Sequence, residues 1–367
     1  MHRVPDDDGL SEAAGAVHPL ILLLRRPEAA VTLDAQAWTR VLFAARKAAL
    51  LGRVAAGIGA AGVLDALPDK VRSYLNGAMI AAESNQRALR WEVRCLERLL
   101  GDVGDPLVLL KGMAYVAANL PVARGRRASD VDILVARHDL ARVEATLLGN
   151  GWAWVKTDPY DQHYYRDWMH ELPPLRHVAR GVVTDVHHAI LPLTGRIRPD
   201  SDVLLQRARP VPGMRWSVLA PADMVIHSVV HLFQDGDLTN GLRDLVDIDG
   251  LLRHYGTDPV FWSDLETQVS RLGVGRPWFY AMCYARRRLL TPIPETVCRT
   301  TRLAAPSWPL RWLMDRLIMA ALAPREPDGG RPGIAAFALY VRSHWLRMPP
   351  LMLARHLLRK ARRGEPR

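Results

Sequence analysis

RGRRASDVDILV, residues 124–135, decides how this chain is read. In SDVDILV (129–135) polar and apolar residues alternate, the period of a strand with one face in a core. Asp130 and Asp132 lie two apart and therefore share a face. Carboxylates side by side repel, and each makes the other harder to ionise. A buried strand carrying both calls for a cation, and oxygen-rich sites with few protein ligands suit Mg²⁺ or Mn²⁺ together with a phosphorylated substrate.

Upstream, PLVLLKGMAYVAANL (106–120) predicts a strand at 106–110, then Lys111-Gly112, then a helix. A glycine lets backbone approach a phosphate, a helix start offers free N–H groups, and Lys111 adds a point charge. Arg124, Arg126 and Arg127 stand just before the acid pair and are placed to meet phosphate oxygens. Downstream, HDLARVEATLLGNG is a helix closed by glycine, and WAWVK (152–156) and GVVTDVHHAI (181–190) are strands. The last of these supplies a third acid, Asp185, with His187 on the same face and His188 on the opposite one. Glu171 is the substitute acid. Three converging acids predict a two-metal site.

Both flanks read as helical. AWTRVLFAARKAALLGRVAAGIG (37–59) is one helical stretch broken by Pro68, and a second long helix runs to Gly101. Helices return at PADMVIHSVVHLF, where Pro221 and Asp223 mark an N-terminus, and continue through RDLVDIDGLLRHYG, 276–290 and 335–364. The predicted class is α+β, a small mixed sheet between helical regions. Its boundaries fall at 1–104, 105–215 and 216–367, the first set by the turn cluster GDVGDP (101–106).

Composition narrows the surroundings. The 367 residues carry a formal charge of +11, which favours anionic partners. Lysine occurs only at 47, 70, 111, 156 and 360, so arginine provides nearly all the positive charge. Cys95, Cys283 and Cys298 have no metal-ligand or disulfide spacing and fit a reducing cytosol. MHRVPDDDGL is acidic where a signal peptide is basic, and LILLL (20–24) is too short to span a bilayer. A cytoplasmic protein with no transmembrane segment is expected. The basic amphipathic tail, HWLRMPPLMLARHLLRKARR, is expected to dock on the chain's own helices rather than on a membrane or RNA.

Other groups have ordinary readings beside functional ones. Asp223, His227 and His231 share a helical face, but a zincin would need Glu where Ser228 stands, so histidines bridging to the α/β core are expected. Arg243, Asp244 and Asp247 form an ion network or line a cleft. His163, Tyr164, Tyr165 and Trp168 stack on a ligand or fill space under a loop. For His187 and His188, orienting an acid or packing is expected ahead of metal ligation.

LKGMAYVAANL, RGRRASDVDILV with HDLARVEATLLGNGW, HELPPL (170–175), VTDVHHAI, and MVIHSVVHLF with GLRDLVDIDGLL together carry a resemblance. Over roughly residues 105–255 the chain resembles the polymerase-beta-like nucleotidyltransferases, and among them the bacterial family described as uncharacterised nucleotidyltransferases. The resemblance implies that Gly112 sits in the nucleotide-binding turn, that Asp130 and Asp132 hold metal, and that Asp185 completes the triad. The superfamily turn usually has Gly or Ser after its glycine; here Met113 follows Gly112, a Lys-Gly version. The implied activity is transfer of a nucleoside monophosphate from an NTP to a hydroxyl or phosphate on a small molecule, protein or RNA. Lys111, Gly112 and Arg127 would hold phosphates. Met113 motivates an alternative, a catalytically silent nucleotide- or partner-binding protein on this fold. The charge motivates another, an enzyme directed at transfer RNA. Alanine at Asp130 or Asp132 is expected to abolish turnover and leave the fold intact.

Overall fold

A computed structural model describes residues 17–103, 106–236, 238–328, 333–349 and 352–353. Its centre is a mixed seven-stranded sheet. The strands are β1 (Val108–Leu109), β2 (Asp130–Leu134), β3 (Trp152–Trp154), β4 (Leu175–His177), β5 (Val183–His187), β6 (Arg209–Pro210) and β7 (Ser217–Val218). Their order is β3-β4-β5-β2-β1-β7-β6, which makes the acid-bearing β2 the middle strand. It runs parallel to β5 and antiparallel to β1. Val131, Ile133 and Leu134 are fully buried because helices and loops cover both faces. Helices surround the sheet, and one continuous apolar core runs from Leu20 to Leu339.

The longest helix, Asp69–Leu100, buries Leu75, Ala82, Leu89 and Leu96 at seven-residue intervals, a stripe along one side. Its polar residues Asn85 and Gln86 hold the loop that leads into β2. Asn85 Nδ2 donates to the Ala128 carbonyl at 3.0 Å, and Asn85 Oδ1 accepts from the Ala128 N–H at 2.9 Å. One side chain thus gives Ala128 what a neighbouring strand would. Gln86 Nε2 donates to the carbonyls of Ala123 and Arg126 at 2.7 and 2.8 Å. Arg53 adds bonds to the carbonyls of Pro121 and Val122. Asn85→Ala leaves two backbone groups short of partners and is expected to lower stability by about 1–3 kcal/mol. Urea unfolding checks this, and an unchanged midpoint would mean that solvent replaces the amide at no cost.

Three differences from the sequence reading have local causes. The strands β4, β6 and β7 are two or three residues long, too short for a period to register. The stretch 37–59 holds two helices, Ala35–Lys47 and Leu51–Ala60, separated at Ala49, whose φ is 55°. The break redirects the second helix so that Gly52 meets Gly125, where a Cβ on either would strike the other's backbone. Pro221 does open its helix, but Asp223 does not cap it and instead accepts from Arg207 Nε at 2.8 Å. The acidic start and residues 354–367 of the basic tail lie outside the described residues, as do Gly104 and Asp105 of the turn cluster. Among the described residues no helix is long and apolar enough to cross a membrane.

Candidate active site

Parallel pairing of β2 with β5 sets Asp132 directly beside Asp185. Asp130, two residues earlier, lies on the same face. Asp132 is buried, and its Oδ1 accepts from Lys111 Nζ at 2.7 Å and lies 3.1 Å from His187 Nε2. Burial opposes its ionisation, yet Lys111 and His187 overcome that and hold the carboxyl well below the usual carboxylate range. Lys111 reaches Asp132 from a left-handed backbone conformation, φ 47°, at the start of the helix Lys111–Ala117. Left-handed backbone in a non-glycine residue costs energy and collects at functional sites. Burial disfavours the ammonium, but Asp132 and Glu171 outweigh it and raise the pKa above the ordinary lysine value.

Asp185 is in the opposite situation. Burial, then the charges of Asp132 and Glu171, push its carboxyl up to about 7. Its Oδ1 is buried with no hydrogen-bond partner among the described residues. Asp130 is half-buried, accepts from Ser129 Oγ at 3.1 Å, and is raised by burial and by Asp132. Glu171 joins the group through a single antiparallel bridge to His187, with its Oε2 3.3 Å from His187 Nδ1. The turn Tyr164–Trp168 brings Tyr165 close enough that Glu171 and Asp185 follow burial in raising its hydroxyl pKa. Arg166 anchors that turn with two bonds to Glu144, at 2.8 and 2.6 Å. Wide turns of this kind recur at functional sites.

The structure thus gathers Lys111, Asp130, Asp132, Glu171, Asp185 and His187. His187 does orient an acid, while His188 is buried on the other face, its pKa lowered to about 4 by burial and by Arg137. His227 is buried and His231 partly so; burial, then Lys111, keeps both well below the ordinary histidine value. Their rings lie 6.4 Å apart, tilted by 34°. Asp247 pairs with Arg126 at 2.7 Å and Asp244 with Arg243 at 2.9 Å, two ion pairs rather than one network of Arg243, Asp244 and Asp247.

Of the three arginines before β2, Arg126 is consumed by that pairing and buried, whereas Arg124 and Arg127 are exposed. The Cα of Gly112 faces the Arg126 guanidinium and Ala128, so a side chain at 112 would collide with both. This packing accounts for the glycine without a ligand. The aromatic segment stacks on itself: Trp168 meets Tyr160, His163 and Tyr164 edge to face.

Sequence reasoning missed Asn85, Gln86 and His170. The signal for His170 was its place beside Glu171 in HELPPL, but neighbours on a regular strand point to opposite faces. Here the segment is irregular, and His170, Glu171 and His187 each bring a ligand-type atom within 4.8 Å of the others. As a donor set, three aspartates suit a hard divalent cation, and the buried Asp185 oxygen, unpartnered among the described residues, is a place such an ion would satisfy.

No curated protein matches the chain. A family model described as an uncharacterised nucleotidyltransferase matches residues 34–289, which span more than two thirds of it and include every residue of the acid group. The chain is an enzyme of the nucleotidyltransferase class and belongs to that uncharacterised nucleotidyltransferase family.

Proposed function

We propose that this enzyme moves a nucleoside monophosphate from an NTP to a hydroxyl or phosphate acceptor, with Mg²⁺ or Mn²⁺ held by Asp130, Asp132 and Asp185. The register of Asp132 on Asp185, which forces two carboxylates together with one oxygen unpartnered, is the observation that supports it most. Bound divalent metal would neutralise phosphate charge and make an acceptor oxygen more acidic. Lys111, already fixed beside Asp132, supplies a positive charge at the helix start for phosphate oxygens. The Gly112 amide and the exposed Arg127 extend that grip. Asp185, beside the acceptor side of the metals, would help take the proton that the acceptor gives up.

The test is incubation with each α-labelled NTP, Mg²⁺ and cell extract. Label moving to one species, with pyrophosphate released in equal amount, is the expected result. No label on any species and no pyrophosphate would overturn the reading. A second reading, binding without transfer, draws on Lys111 and His187 both occupying Asp132 Oδ1. It requires metal-dependent NTP binding by calorimetry with no pyrophosphate against a broad acceptor panel.

A further inference from the structure

We infer that His170, Glu171 and His187 form a second metal site, selective for a nitrogen-seeking ion such as Zn²⁺, on the side of His187 away from Asp132. The ligand-type atoms of the three lie within 4.8 Å of one another. His187 is 1% exposed. Its Nε2 lies 3.1 Å from Asp132 Oδ1. An ionised carboxylate only accepts, so Nε2 carries the hydrogen. In the neutral ring Nδ1 is then a bare lone pair, and it makes no hydrogen bond among the described residues. It faces Glu171 Oε2 at 3.3 Å. Two lone-pair atoms face to face in a buried place repel each other unless a cation lies between them.

A proton is one such cation and a metal ion is the other. The second imidazole beside this pair favours the metal. The His170 ring lies 5.3 Å from the His187 ring, tilted by 30°. A Zn²⁺ bound at about 2.0–2.1 Å to each donor needs donor atoms roughly 3.3 Å apart, a separation the Glu171–His187 pair already has. Two imidazoles and a carboxylate select zinc-like ions over Mg²⁺. Asp132 hydrogen-bonded to the far nitrogen of His187 completes a carboxylate–histidine–metal arrangement, which fixes the ring and raises its basicity.

The backbone holds the three donors in place. Glu171 bridges His187, the Leu172 N–H donates to the Val186 carbonyl at 2.9 Å, and the His188 N–H donates to the His170 carbonyl at 2.9 Å. A site of two histidines and a glutamate leaves a coordination position open for water or a substrate oxygen.

This inference does not depend on nucleotide transfer, so its test uses metal alone. The full chain, stripped with chelator, is titrated with Zn²⁺, Mg²⁺ and Co²⁺ without nucleotide. One equivalent of Zn²⁺ is expected to bind at least about a hundredfold more tightly than Mg²⁺, with Co²⁺ giving a visible absorption band. His170→Ala and Glu171→Gln should each weaken Zn²⁺ by at least tenfold and remove the band, with thermal melts confirming the fold. A nitrogen-15 spectrum of the wild-type histidines covers the case of an unstable variant, since Zn²⁺ should shift the His187 Nδ1 resonance. Zn²⁺ affinity no better than that of Mg²⁺, affinity unchanged in both variants, or a doubly protonated His187 that ignores Zn²⁺ would each overturn the site.

Discussion

Asp130→Asn lowers nucleotide transfer by about 10²–10³-fold and leaves the protein as stable as before, whereas Asp132→Ala loses the activity and much of the stability together. The two acids are interchangeable in the sequence but not in the structure. Asp130 is half-buried, bonded to Ser129, and raised by burial and by its neighbour Asp132. Making it neutral relieves repulsion and, on the proposed mechanism, removes a charge that would hold metal, worth several kcal/mol in the transition state. Asp132 is the counter-charge for Lys111 and His187, at 2.7 and 3.1 Å. Its removal strands those two groups, at a cost of about 3–5 kcal/mol, nearer the lower end because the Lys111 side chain is 24% exposed. The expectation that alanine leaves the fold intact is therefore kept for Asp130 and revised for Asp132. Urea unfolding paired with a turnover assay on each variant checks both halves. Full turnover in Asp130→Asn would remove the proposed mechanism, and a wild-type midpoint in Asp132→Ala would remove the buried ion pair.

How much of this was legible follows from which signals are local. β2 and β5 could be read because each is a short, valine-bearing run interrupted by aspartate, and with β2 the shared face of Asp130 and Asp132. That Asp185 would lie opposite Asp132 rather than one residue away depends on register, which pairing in space decides. Arg126 and Arg127 are neighbours with opposite fates, since only Arg126 finds Asp247, 121 residues further on. Asn85 and Gln86 look like ordinary polar positions of a surface helix, and their partners are backbone atoms that no side-chain pattern reveals. Lys111 carried a visible charge, but its left-handed backbone and its bond to Asp132 exist only once the helix start is set against β2.

The Arg126–Asp247 pair makes the second large effect. Arg126 Nε donates to Asp247 Oδ2 at 2.7 Å with both residues buried, and its guanidinium lies 5.5 Å from the centre of the Tyr115 ring. Burial works against the charge, but Asp247 more than compensates, so Arg126 stays ionised. Asp247→Ala leaves that charge unpaired in a dry place and is expected to cost about 3–5 kcal/mol. Arg126→Met with Asp247→Leu should recover most of the loss, because apolar replacements of similar volume leave no charge to desolvate. The same pair of backgrounds separates two meanings of Gly112. Gly112→Ala in the wild type pushes its new methyl against the Arg126 guanidinium and Ala128. In the Arg126→Met, Asp247→Leu background the flexible thioether gives way, the clash softens, and the coupling should be about 0.5–3 kcal/mol in urea unfolding. If transfer returns along with stability in that background, the glycine is there for Arg126. If stability returns and transfer does not, the backbone at 112 also needs its bareness to let a phosphate approach.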